Sequence, residues 1–333
     1  MSVRLHLAHA LMAAACLAAA TPARAGCELS KVAELEVELD EGVPMIRSEI
    51  NGQKVLLVAS TSGSETGILP KSAQQLGLTG PGVSDITFYE SSGKEIPAFR
   101  ANVAKLKLGA LEMTNVKVVV AGSRQSEKRP DIVGYLALPQ FLKYDIELDI
   151  SAGVIRLFKA TGCEKSELIY WEGAYTVAPM REVLPQFPVF AMEVKLNGKR
   201  FFANLNTGAS MSLANLPTAR SAGVTTSSPG VVAVEKKPDA PPGAIDTWIA
   251  TFDTFSIGDE AIRNAKLLIG DYNHNIRYAK TGSLISKPAD FPDMDLGADF
   301  FRSHRVLISA TQRKVYVSYK GGPVFQVKTP SVP

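Results

Sequence analysis

The sequence predicts an all-β protein of two similar lobes, on three observations. Short apolar runs with period-two alternation recur along the whole chain, punctuated by Asn-Gly and Ser-Gly turns and Pro-rich stretches. Helical patterns are few and only one or two turns long. The same ordered set of segments occurs twice, about 150 residues apart, a period too long for a solenoid.

The 333 residues are 46% hydrophobic and 21% charged, enough for one or two ordinary cores. The N-terminus carries Arg4, an apolar run from Leu11 to Ala20, and then Ala23-Arg24-Ala25. This reads as an export signal over residues 1–25, cut before Gly26, which places the mature protein in the periplasm or outside the cell. The run is too short for a membrane span and no later stretch reaches its length. A lipid anchor on Cys16 or Cys27 is disfavoured, because Ala13 and Arg24 stand where a branched apolar residue is expected. Losing Arg4 and Arg24 lowers the basic count from 36 to 34 against 33 acids, so the mature chain is nearly neutral. Without a basic cluster or stripe, no nucleic-acid partner is expected.

Two cysteines survive processing, Cys27 and Cys163. In an oxidising compartment an isolated pair most simply forms one disulfide, enclosing well over a hundred residues. Free thiols or a metal pair are the alternative, but there are no further Cys ligands and no His cluster. No metal constellation, phosphate-cradling loop or cofactor signature occurs, so no cofactor is expected.

Each element follows from its local pattern. Val32 to Asp40 alternates apolar and acidic residues, a half-buried strand. Val43 to Ile50 and Lys54 to Ala59 flank Asn51-Gly52, a hairpin signal. Lys71 to Leu76 after Pro70 suits a short helix. Ile86 to Glu90 and Ile96 to Phe99 flank Ser91-Ser92-Gly93-Lys94 as a second hairpin. Strands at Val103 to Leu108 and Met113 to Val120 surround Gly109, and Asp131-Ile132-Val133-Gly134 follows a polar loop. A short amphipathic helix and a closing hairpin end the half at Lys159, with Ile146, Leu148 and Ile150 on one face and Asp145 and Asp149 on the exposed side. The second half repeats this order. Asn197-Gly198 leads to Phe201 to Leu205; Trp248 to Ile257 and Ala265 to Ile269 surround Gly258; Asp295-Leu296-Gly297 precedes the closing segment, Ala298 to Tyr319. Phe300-Phe301 answers to Phe141-Leu142, and Val315 and Val317 to Ile155 and Leu157. Residues 26–160 thus form lobe 1, 161–186 the connection, 187–322 lobe 2 and 323–333 a tail. Ser227 to Pro242, rich in proline, is expected as an exposed loop.

Between the Asn-Gly turn and the short helix, each half carries a polar loop. The second reads Asn206-Thr207-Gly208-Ala209-Ser210, eight residues after Gly198. The first, eight residues after Gly52, begins Ser60-Thr61-Ser62-Gly63. From Asn206 to Val224 is eighteen residues, as is Ser60 to Leu78, so the ungapped register equates Ser60 with Asn206. A register shifted by one would make Thr61-Ser62-Gly63 the counterpart, at the cost of a compensating deletion.

Hairpin, loop, apolar-Gly signature and closing hairpin together resemble the retropepsin-like aspartic peptidases, in the bacterial secreted form with two repeats per chain. The resemblance spans about Leu35 to Tyr319. It implies two retropepsin-like β-barrel lobes related by a pseudo-twofold axis, with a cleft between them. It also implies an aspartic-type endopeptidase mechanism, in which each lobe contributes one Asp and the two carboxylates share a proton. Ser60 and Asn206 occupy those two slots, and an amide or an unactivated hydroxyl does not replace the shared-proton chemistry. No catalytic residue is therefore expected at the loops. Thr61 and Thr207 stand where the family's threonines bond across the lobes, Gly208 keeps the sharp turn, and Ser62 replaces the first copy's glycine.

The expectation is an exported pseudoenzyme, monomeric because both lobes lie in one chain, that binds an extended peptide or protein segment in the cleft. The binding residues would be Ser60, Thr61, Ser62, Asn206, Thr207, Gly208, Ala209 and, from the flap-like hairpin, Tyr89. Ser60 and Asn206 could bond each other or hold a water. One alternative is an active endopeptidase using a substitute carboxylate, Asp131 or Asp293, ahead of the two signatures. Another is a structural envelope protein. Ser60 as a nucleophile would need a base; the mature chain's histidines, His274 and His304, are expected in surface or capping roles.

Overall fold

In the computed structural model, residues 26–325 are described, apart from 41, 64, 81–85, 90–94, 123–128, 138–140, 184–188, 237–244, 273–276, 280–285 and 289–290. The expected signal, the tip of the flap-like hairpin, His274, the proline-rich end of the Ser227 to Pro242 loop and the last eight residues lie outside this set.

The first half forms β1 (Glu28–Asp40), β2 (Val43–Ile50), β3 (Gln53–Ser60), β4 (Gly67–Ile68), α1 (Pro70–Gln75), β5 (Ile86–Tyr89), β6 (Glu95–Leu108), β7 (Leu111–Val120) and β8 (Ile132–Ala137). The hairpins follow their turn chemistry. Asn51 and Gly52 both take positive φ, 50° and 84°, the twist that a two-residue hairpin needs and that these two residues adopt cheaply. The Asn51 carboxamide oxygen then accepts from Lys105 N at 3.0 Å, fastening the turn to β6. The expected strands at Ile96 to Phe99 and Val103 to Leu108 are one continuous strand, because β7 pairs along it from Phe99 to Leu108. Strand order β2-β3-β8-β4-β7-β6, with β6 returning to β2 between Leu106 and Leu108, closes a barrel.

Next come β9 (Asp145–Asp149), β10 (Val154–Thr161) and β11 (Thr176–Pro179). The second half contains β12 (Ala191–Leu196), β13 (Lys199–Leu205), β14 (Leu213–Asn215), α2 (Leu216–Ser221), β15 (Val232–Ala233), β16 (Thr247–Ile257), β17 (Glu260–Gly270), β18 (Arg277–Ala279), β19 (Ser286–Pro288) and β20 (Met294–Leu296), with β18 and β19 paired apart from the barrel. After these, α3 (Ala298–Phe301), β21 (His304–Ser309) and β22 (Lys314–Tyr319) close the chain. Order β12-β13-β20-β14-β17-β16, with β16 returning to β12, repeats the first barrel strand for strand. Asn197 and Gly198 repeat the turn at φ 47° and 77°, and Asn197 again fastens it, accepting from Thr254 N at 3.1 Å.

A third, antiparallel sheet joins the lobes in the order β11-β22-β21-β9-β10-β1. At its centre β9 pairs with β21, Glu147 opposite Leu307. One face carries Ile146, Leu148, Ile150, Ile155, Leu157, Val306, Ile308, Val315 and Val317 into a core continuous with both barrels. The other face is covered by the segment after Cys163. There Glu147, fully buried, meets Arg156 at 2.6 Å, Arg305 at 3.0 Å and the Tyr170 hydroxyl, while the Arg305 guanidinium lies 4.2 Å over Trp171.

This cover corrects the expectation for Asp145 and Asp149. Both are buried, because β9 is an inner strand and its second face is roofed rather than solvated. His304 is likewise fully buried, its Nδ1 at 2.8 Å from Phe300 O and its Nε2 at 2.9 Å from Glu260, with its ring stacked on Phe300. Phe325, assigned to the tail, is buried against Phe255 and Phe300.

Cys27 and Cys163 form a disulfide across 136 residues, at the end of the β1–β10 pair beside Glu28–Thr161. A loop of that length sets a ceiling of about 5 kcal/mol on its stabilisation. Cys163→Ser is expected to lower the urea midpoint markedly, and reduction of the parent protein should reproduce the loss. Coincident midpoints for the parent and the variant would show that strand pairing alone holds this corner.

Candidate functional site

Strand register identifies the equivalent loop positions. β3 runs parallel to β8 with Ser60 opposite Ala137, and Gly67 of β4 then faces Tyr135. β13 runs parallel to β20 with Leu205 opposite Leu296, Asn206 N bonding Leu296 O at 2.9 Å, and Leu213 of β14 then faces Asp295. Gly67 lies seven residues after Ser60 and Leu213 seven after Asn206, so Ser60 and Asn206 are counterparts. The one-residue shift is not adopted. By the same register Asp295-Leu296-Gly297 answers to Tyr135-Leu136-Ala137, not to Ile132-Val133-Gly134. Gly134 is a glycine for another reason: a Cβ there would strike Gly67 O.

The loops meet through two buried threonines. Thr61 N donates to Thr207 Oγ1 at 3.1 Å, and Thr207 N donates to Thr61 Oγ1 at 3.0 Å. Each hydroxyl then donates into the opposite lobe, Thr61 to Leu205 O and Thr207 to Ala59 O at 2.5 Å. Both side chains are fully buried, and all four bonds are made.

Around this junction the sequence-predicted residues are placed as follows. Ser60 Oγ donates to Ser62 O at 2.5 Å and accepts from Ser62 N at 3.2 Å. Asn206 Nδ2 donates to Asp295 Oδ2 at 2.9 Å. The two side chains are therefore not bonded to each other; each has a partner in its own lobe. Both face exposed Gly208: a Cβ there would lie 3.3 Å from Ser60 Oγ and 3.5 Å from Asn206 Oδ1. Ala209 N donates to Asn206 O at 3.2 Å, and Ala209 O accepts from Ala298 N at 2.7 Å. Tyr89 lies in β5 with its backbone opposite Glu95.

The carboxylate beside the loop is Asp295, two residues beyond the expected Asp293. Asn204 Nδ2 donates to its Oδ1 at 2.9 Å and reaches across the lobes to Ser62 Oγ at 3.4 Å. Burial pushes the Asp295 carboxyl above its ordinary value, opposed by the amides of Asn206 and Asn204. Burial, with the Asp295 and Asp293 charges, raises Tyr272 in turn. Asp293 instead accepts from Phe202 N at 2.7 Å. Asp131 is bound by Arg129 at 3.1 Å on a lobe 1 groove lined also by Glu38, Arg47 and Lys107. Its carboxyl is held low by that guanidinium. A signal for Asp295 was present: Asn204 and Asn206 share a strand face at period two, and the residue opposite Asn204 must face them both.

Behind the loop, Asp299 Oδ1 accepts from Ser212 N at 2.9 Å, Ser212 Oγ at 2.7 Å and Phe300 N at 3.0 Å. Its Oδ2 is buried with no partner among the described residues, and burial raises the carboxyl. Among the described residues no group of three or more His, Cys, Asp and Glu is placed to hold a metal, and no helix is long and apolar enough to cross a membrane.

Two β-barrel lobes, a bridging sheet and two polar loops joined at the floor of the cleft define an architecture that resembles the aspartic proteases. The aspartyl protease family model matches residues 46–136, the greater part of the first barrel with its loop. Among solved structures, an aspartic proteinase from Irpex lacteus is similar at 10% identity and TM-score 0.49, over 86% of this chain and 97% of that one. A retropepsin-like aspartic protease from Rickettsia conorii is similar at 17% identity and TM-score 0.31, over 40% of this chain and 95% of that one. Basic 7S globulin from soybean is similar at 8% identity and TM-score 0.44, over 87% and 94%. No curated protein sequence matches the chain.

Two outcomes are expected from this geometry. Thr61→Val and Thr207→Val each strand buried backbone groups and should cost about 1–3 kcal/mol in urea unfolding. The double variant should cost less than the sum, since the four bonds form one unit; strict additivity would separate the two sites. For Asp299 the folded carboxyl lies above its ordinary 3.8. Its contribution is then complete below that value and is lost as pH rises through the raised one. Asp299→Asn should gain on the parent as the buffer is brought from acid to neutral, and a pH-independent difference would refute the buried-acid account.

Proposed function

We propose that this is an exported, catalytically silent relative of the two-repeat aspartic peptidases, which binds an extended peptide or protein segment in the inter-lobe cleft as a monomer. One observation carries the reading. The two loop positions that the pseudo-twofold brings together hold Ser60 and Asn206, and both are engaged within the protein. Neither side chain can share a proton with the other as a carboxylate pair would. The binding half of the machinery supports the same view: β5 pairs only with β6 among the described strands, leaving an edge of the flap-like hairpin to which an extended backbone could add. Export is inferred from residues 1–25 together with the Cys27–Cys163 bridge.

Asp295 favours a second reading, residual hydrolysis by a single carboxylate adjoining Asn206. The two separate in one experiment. Mature protein is incubated with a diverse peptide library between about pH 3 and 8, the range over which carboxylate and histidine chemistry would change. New termini are read by mass spectrometry beside an Asn206→Trp control that blocks the cleft. Retention of peptides by the parent alone, without new termini, is the expected result. Cleavage abolished by the block and by Asp295→Asn would establish the hydrolytic reading instead.

A further inference from the structure

Among the described residues, the Asn204–Asn206–Asp295 network has no counterpart at the equivalent lobe 1 positions. Asn204, Asn206 and Asp295 correspond by register to Val58, Ser60 and Tyr135. In lobe 1 the Tyr135 ring packs against Gly63 and Gly67, and no carboxylate is present at that position. In lobe 2 each oxygen of Asp295 takes one amide, Asn204 on Oδ1 and Asn206 on Oδ2, both at 2.9 Å. A carboxylate accepts and does not donate, so Asn206 must turn Nδ2 toward it and Oδ1 away.

The Oδ1 so displaced lies beside exposed Gly208, 3.5 Å from where a Cβ would stand there, and Ser60 Oγ, of the other lobe, lies 3.3 Å from the same position. The Ser60 proton is committed to Ser62 O. What remains on that side of Ser60 is a lone pair. Asn206 Oδ1 receives no hydrogen bond among the described residues, and the exposed glycine leaves room for a ligand backbone to approach.

Both central atoms are therefore acceptors that lie within 3.5 Å of the same position, that of a Cβ built on Gly208. We propose that the cleft centre is a two-acceptor site for a backbone N–H of a bound extended peptide, formed by Asn206 Oδ1 and Ser60 Oγ, with Asp295 as the positioning residue that sets the Asn206 amide. This rests on the peptide-binding reading above and adds what the floor recognises: a donor, held without proton transfer. Asn204 extends the device across the lobes, since the amide that holds Asp295 Oδ1 also reaches Ser62 Oγ.

The test has two arms. In the first, a randomised peptide library is passed over the immobilised mature protein, and the best-retained sequence is resynthesised with each backbone N–H in turn replaced by an ester oxygen. One ester is expected to weaken binding to the parent about tenfold, the worth of one net hydrogen bond. Asp295→Leu and the isosteric Asp295→Asn should bind the all-amide peptide more weakly and show no further loss with that ester. A flat ester scan, or an undiminished ester effect in both variants, overturns the N–H site while leaving peptide binding intact. Retention of no peptide by the parent overturns the site together with the reading beneath it.

The second arm needs no ligand. Hydrogen exchange of the Asn206 side-chain amide, assigned by its loss in Asn206→Asp, should show one slow proton in the parent that becomes fast in Asp295→Leu. Equal exchange in the two proteins would overturn the positioning role whatever the peptide arm shows.

Discussion

The reciprocal bonding of Thr61 and Thr207 is the constraint on which the centre of this molecule depends. Each hydroxyl is buried, so it must find a donor and an acceptor inside the protein, and both lie in the other lobe. The arrangement closes only when the two loops approach in one register. That register holds Ser60 and Asn206 on either side of Gly208 whatever chemistry they carry. Geometry and reactivity are thus separable here: the threonines supply the first, and the residues just before them the second.

The junction is reinforced from below and behind. Beneath it, β9 and β21 pair across the lobes, and Glu147 with Arg156 and Arg305 neutralises a buried charge on the covered face. A buried triad of this kind is weak evidence for net stability, but removing one member would leave an uncompensated charge, so it specifies the cover strongly. Behind the second loop, Asp299 gathers Ser212 and Phe300, and Ser212 in turn accepts from Gly297 N. The loop so held is the one that carries the amide network.

Near-symmetric backbones with unlike floors give the cleft a direction. Val58 and Tyr135 make the lobe 1 floor apolar and aromatic, whereas Asn204 and Asp295 make the lobe 2 floor hydrogen-bonding. An extended chain bound there, as proposed, would meet different chemistry from the two lobes.

Strands, hairpins and short helices were legible because they rest on local rules. Asn-Gly takes φ > 0 in sequence, alternation marks a half-buried strand, and proline opens a short helix. The counterpart relation of Ser60 and Asn206 was legible for the same reason, as an equal count of residues from each turn. Asp145 and Asp149 were misplaced because alternation reports two faces of a strand but not whether another segment roofs the second one. Asp295 was passed over because its partners, Asn204 and Asn206, lie some ninety residues away across a parallel strand pair. By itself the sequence determined the elements, their twofold order and the absence of Asp from both loop slots. Only the tertiary structure decided which carboxylate stands beside Asn206 and which way the amide turns, because both depend on register between distant strands.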